Sequence, residues 1–131
     1  MTVLEMIIAS LNDSKNNKFN FTYFDDIVII NINDNTLPVI LVVSDTQITL
    51  VCNLFRINEV RAENKLELLE AMHRKNLPLN LSSFSQSGEY HIIFGALSID
   101  SSIHQIETEI LTLIYNAEES LLLFEKYLIL K

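Results

Sequence analysis

Glycine is almost missing from this chain: 131 residues contain two, Gly88 and Gly95. A loop that cradles phosphate needs several glycines so that successive backbone amides can converge on the anion, so dinucleotide-binding and P-loop chemistry are excluded. Neither glycine flanks a serine in the G-x-S-x-G pattern of a nucleophile elbow, which removes that class of hydrolase. Cysteine is reduced to Cys52, so no intramolecular disulfide framework exists. It lies in the apolar stretch Ile48–Phe55 without a cationic neighbour to hold a thiolate, and reads as a small buried hydrophobe. Basic residues are scarce too, nine against seventeen acidic, for a net charge of −8. Polyanions repel such a surface, and Arg56, Arg61, Arg74 and Lys75 make only a small basic cluster, so no nucleic acid is expected as a partner. No apolar run reaches the roughly 18–20 residues of a membrane span, so direct membrane insertion is not expected. Met1–Ala9 has no basic stretch and carries Glu5 among its apolar residues, unlike a secretory signal. The expected compartment is the cytoplasm.

Catalytic and metal-binding patterns are thin. His73, His91 and His104 fall on separate predicted elements. Glu70-x-x-His73 places a carboxylate and an imidazole on one helical face, as di-iron bundles do, but such a site needs a second copy of the motif on a facing helix. The sequence has none, and His104 with Glu107 runs in the reverse order. Asp25-Asp26 reads as a turn whose carboxylates both face water, and Ser82, Ser83, Ser85 and Ser87 are turn residues without a placed base. His91 is expected on the exposed face of its strand. The chain is therefore read as a non-enzyme with no catalytic residue, metal ligand or cofactor.

What is plentiful is apolar side chain: 49% of residues, with a mean hydropathy of +0.26. A domain this small has much surface to cover, so the excess points to apolar area hidden by a partner or a second copy. The pattern predicts one α+β domain over residues 1–131, an antiparallel sheet flanked by helices in the order α-β-β-β(-β)-α-β-β-α. Thr2 with Glu5 fits a capping box ahead of a helix of about ten residues, judged by the spacing of Leu4, Ile7, Ile8 and Leu11. Phe19–Phe24, Ile27–Ile30, Pro38–Val43 and Gln47–Phe55 read as four strands joined by short turns at Asp25-Asp26, Asn33–Thr36 and Ser44–Thr46. Pro38–Val43 is apolar throughout and reads as a strand covered on both faces. A second helix is expected from Asn58 to about Lys75, with Val60, Leu66, Leu69 and Met72 or His73 buried. Ser83–Ser87 and Glu89–Leu97 form a hairpin about Ser87-Gly88, and Ser102 with Gln105 opens a last long helix through a second capping box.

Leu77–Phe84, Phe94–Ser98 and Ser101–Ile103, together with Leu41–Ile48 and Glu109–Asn116, resemble the YjfI-like bacterial family. The resemblance is most specific from about Leu69 to Leu121. That family has no agreed catalytic residues, so no site is carried over. Its members are often encoded beside phage-shock-type membrane-stress proteins, which would make this chain an acidic accessory of such a protein. The element order is also similar to that of type III secretion chaperones and YbjN-like proteins, many of which form homodimers.

Beyond Ser120 the last helix is apolar on every side. A helix apolar all round is buried all round, which a lone small domain can hardly achieve at its terminus. Leu121, Leu122, Leu123, Phe124, Leu128, Ile129 and Leu130 are therefore the candidate interface. The leading expectation is a homodimeric interaction protein, adaptor-like or chaperone-like, that binds another protein partner. The alternative is a small-ligand sensor with a pocket between the sheet and the last helix.

Overall fold

The computed structural model describes residues 2–15, 17–24, 27–32 and 37–129. Helix α1 spans Val3–Asn12, and one half of the expected capping box forms: the Thr2 hydroxyl oxygen accepts the Glu5 amide at 3.1 Å, and the hydroxyl donates to the Glu5 carboxylate at 3.2 Å. Four strands follow, β1 Phe19–Phe24, β2 Ile27–Ile32, β3 Val39–Val43 and β4 Gln47–Arg56. The chain then leaves the sheet for two 3-10 turns, Ile57–Glu59 and Ala62–Asn64, and helix α2, Lys65–Lys75. It returns as β5, Ser83–Ser87, at the sheet's edge, and the hairpin back lays β6, Tyr90–Ser98, beside β4. Gly88 sits in that turn with φ +57, where a side chain would strain the backbone. Helix α3, Ile103–Phe124, opens with the full Ser102–Gln105 capping box and runs into a 3-10 turn at Glu125–Tyr127.

The six strands form one antiparallel sheet in the order β1-β2-β3-β4-β6-β5. Side chains alternate between its faces, and one face carries the core. Val28, Ile30, Val39, Leu41, Ile48, Leu50, Cys52 and Ile93 are fully enclosed there. Ile110, Leu113, Ala117 and Phe124 of α3, Ile7, Ile8 and Leu11 of α1, and Leu68 and Met72 of α2 join them in a single cluster. All three helices thus serve the same face of the sheet.

Three sequence expectations change. Helix α2 starts at Lys65 rather than near Asn58, because the preceding segment is committed to the far end of the chain. Val60 forms an antiparallel bridge with Leu128, the Arg61 amide donates to the Tyr127 carbonyl at 3.0 Å, and the Ile129 amide donates to Glu59 at 2.8 Å. With Val60 outside the helix, the buried stripe becomes Leu68 and Met72, and Leu66 and Leu69 face solvent. His91 is buried rather than exposed. It shares the helix-covered face with Ile93 and Gly95 and lies 5.4 Å from the Phe55 ring. Strand β3 is covered on one face only: Val39 and Leu41 are enclosed, while Ile40 is half-buried and Val42 exposed on the other side. The turns expected at Asp25-Asp26 and Asn33–Thr36 lie outside the described residues.

Candidate interaction surfaces

The apolar end of α3 divides between core and surface. Phe124 is 1% exposed, its ring edge-on to Phe84 at 5.3 Å, and Leu121 and Leu128 are half-buried against the core. Leu122 is 70% exposed, and Leu123 and Ile129 are also open. Leu130 lies outside the described residues. The reason is geometric. The 3-10 turn ends the helix, and Leu128 then folds back as a bridge partner of Val60, so this segment's inward residues are absorbed without a second molecule. Leu123 borders a groove of about 310 Å3 with Pro78, Leu79 and Phe84, and Lys75 and Glu119 also line it. Leu77, beside it in sequence, is 93% exposed.

The groove is shaped by the segment between α2 and β5, and that segment is pinned from α3. The buried Asn116 side-chain amide donates to the Asn80 carbonyl at 2.8 Å and to the Ser82 hydroxyl at 3.2 Å. Asn76 reaches forward from the end of α2, its Oδ1 accepting the Phe84 amide at 2.6 Å. Between these anchors Leu81 is held at φ +61, the left-handed region that a leucine enters only under constraint.

A second apolar surface went unnoticed in the sequence. On the sheet face opposite the helices, Ile29, Ile40, Val51 and Phe94 stand side by side across β2, β3, β4 and β6. Beside them runs a second row, Phe24, Ile27, Val42, Thr49 and Ala96. None of these residues belongs to the core cluster, which draws its sheet residues from the other face alone. Within the six strands Arg56 is the sole Lys, Arg, Asp or Glu. It sits at one end of the sheet with its guanidinium 5.0 Å from the Tyr90 ring centre and 3.1 Å from the Glu89 carboxylate. The signal that could have revealed this face is the failure of Ile27–Ile30 and Val39–Val43 to alternate.

A family model for uncharacterised proteins conserved in bacteria, DUF2170, matches residues 4–128. The chain belongs to the DUF2170 family. The match runs from α1 to the Val60–Leu128 bridge, so it takes in every strand and helix described above. No curated protein matches the chain.

Other chemistry in the DUF2170 chain is sparse. Among the described residues no group of three His, Cys, Asp or Glu side chains is placed to hold a metal ion, and no helix is long and apolar enough to cross a membrane. The Cys52 thiol is pushed up to about 12, first by burial and then by the Glu118 charge, which leaves it protonated at neutral pH. His91 is held below its ordinary value by burial. His73 and His104 are exposed, and the Ser82 hydroxyl is taken up by Asn116. The space between the sheet and α3 is filled by Leu50, Ile93, Ile110 and Leu113, all fully enclosed. Grooves lie elsewhere: one of about 180 Å3 beside α2 and β5 is lined by Leu69, Met72, His73, Phe84 and His91, and one of about 160 Å3 between α1 and the start of α3 by Met6, Ile7, Ile99, Ile103 and Ile106.

Among the described residues Glu109 is the buried acid. It projects from α3 onto Gly95 of β6, where an added methyl would meet its Oε1 and come within 3.1 Å of the Leu81 carbonyl oxygen. Burial raises its pKa from the ordinary 4.5. The folded state therefore binds the proton more tightly than the unfolded chain, and stability falls as pH rises from the unfolded value through the folded one. Glu109→Gln removes the buried charge. Thermal melts should show the variant stabilised relative to wild type at pH 7, with the gain vanishing near pH 4.

Proposed function

We propose that this DUF2170 protein is a non-enzymatic interaction protein, adaptor-like or chaperone-like, that captures another polypeptide at the apolar rim where α3 ends. The observation that carries the reading is the groove lined by Pro78, Leu79, Phe84 and the exposed Leu123, with exposed Leu77 and Leu122 next in sequence to two of its lining residues. Scattered surface leucines are ordinary, but leucines grouped about a groove have the make-up of a protein-binding site. The occupant is a segment that offers aliphatic side chains to the groove and a polar edge to Lys75 and Glu119. The resemblance of Leu77–Phe84 and Phe94–Ser98 to the YjfI-like family supports a partner among phage-shock-type membrane-stress proteins. Helices gathered on an antiparallel sheet also support likeness to type III secretion chaperones, although four strands before α2 are one more than that pattern has. A cytoplasmic site of action fits such a role.

Affinity capture from bacterial cells tests this. Wild type should retain a stoichiometric protein partner, and Leu122→Glu should release it, with affinity lowered at least ~30-fold as for a hot-spot residue. Leu122 is too exposed for the change to disturb the fold, so the melting temperature should stay within a few degrees of wild type. Equal capture by both proteins would remove the rim from the account.

A further inference from the structure

We propose that the open face of the sheet is the contact surface for a second copy of this chain, the two sheets packing face to face about a two-fold axis near Ile40 and Val51. This rests on the reading that the protein acts through protein contacts, and it assigns self-association to a surface separate from the α3 rim.

Charge argues for a second copy. Each chain carries a net charge of −8, so two copies repel wherever acidic residues meet within a Debye length of about 8 Å. The six strands contain no aspartate or glutamate, and their one charged residue, Arg56, lies at an end of the sheet already paired with Glu89. The open face is thus a broad area on which two such chains can meet without like charges facing one another. A basic partner would be drawn instead to the acidic surfaces and would gain nothing from an uncharged one.

Shape and area argue the same way. Ile29, Ile40 and Val51 are β-branched and stand in a row across three central strands, with Val42 and Thr49 in the next row. Such a surface is low and even, suited to the spacing of about 10 Å at which aligned sheets pack. Six strands about 4.8 Å apart and five residues long cover on the order of 500 Å2 in plan. Two such faces together give on the order of 1,000 Å2, the size from which a specific interface is expected. A two-fold contact buries the same patch on both chains, so one apolar row serves as its own complement.

Light scattering and sedimentation on the whole protein test the inference. At tens of micromolar, wild type and Leu122→Glu should both have twice the 15.0 kDa chain mass. Ile40→Lys sets two cations against each other at the axis and should weaken the dimer at least ~30-fold while circular dichroism stays native. Should that variant fail to fold, Thr49→Cys gives a second readout, because native Cys52 is buried and unreactive. Its thiol should be protected from a maleimide at high concentration and react at least ~10-fold faster once dilution separates the copies. A wild-type monomer, an Ile40→Lys dimer, or a Thr49→Cys thiol whose reactivity ignores concentration would overturn the inference. Loss of the dimer in Leu122→Glu would move self-association to the rim and overturn it as well. The rim reading stands or falls separately, on partner capture by the Leu122 variant.

Discussion

Phe124→Ala should cost about 3–5 kcal/mol of folding stability, the range for emptying an aromatic site in a packed core. Phe124 is enclosed and touches both ends of the fold: its ring meets Phe84 of β5 edge-on and lies 6.4 Å from the ring of Tyr127. Truncation leaves a cavity where the end of α3, the sheet edge and the final 3-10 turn converge, and the Val60–Leu128 bridge loses its backing. Urea unfolding followed by circular dichroism measures this directly, with Leu122→Glu as the paired control. The two residues are neighbours but one in sequence, yet the first should behave as core and the second as surface. Similar stability losses in both would mean that the end of α3 is packed differently from the arrangement described.

Asn116→Ala should cost about 1–3 kcal/mol, since it strands the Asn80 carbonyl and the Ser82 hydroxyl that the side-chain amide now satisfies. Its second effect is on function. Without the anchor, the segment between α2 and β5 loses a reason to hold Leu81 in the left-handed region, and relaxation there reshapes the groove between Pro78, Leu79 and Leu123. Partner affinity should therefore fall along with stability, although Asn116 lies at the floor of the groove and offers little apolar contact of its own. Amide hydrogen exchange across 77–82 should speed up in the variant by more than its global stability loss explains. Unchanged exchange in that segment would show that the loop is held by other means.

The parts of the fold that were legible in the sequence are those fixed by neighbours along the chain. The Thr2 cap, the Ser102 capping box, the hairpin at Gly88 and the antiparallel meander all follow from local hydrogen bonding and backbone preference. What failed depends on residues distant in sequence. Arg61 pairs with Tyr127 rather than continuing a helix, so the apolar period counted from Val60 was out of register from its first residue. In β6 both Ile92 and Ile93 are buried, so alternation alone does not say which side faces the helices, and it puts His91 on the wrong one. The C-terminal leucines form a single surface by periodicity alone, which does not show where a helix ends and its chain turns back.

The open face illustrates a different limit. An unbroken apolar run such as that of β3 usually means cover on both sides. Yet α1, α2 and α3 all contribute to one core, which leaves the second side of Ile40 and Val42 without a helix of its own chain. Composition shows the excess apolar surface, and the leucine run places it at the end of α3 alone. Exposed apolar residues lie on both surfaces, Leu122, Leu123 and Ile129 at the end of α3, and Phe24 and Val42 beside the half-buried Ile29, Ile40, Val51 and Phe94 on the sheet.

The most direct single measurement is the mass of the purified complex between this protein and its captured partner, by light scattering at several concentrations. Two chains of this protein with two of the partner are expected, because the sheet face and the α3 rim are separate surfaces that can be occupied together. A complex holding one copy of each, formed as the partner displaces the second copy, would mean that one surface serves both roles and would contradict the division of labour drawn here.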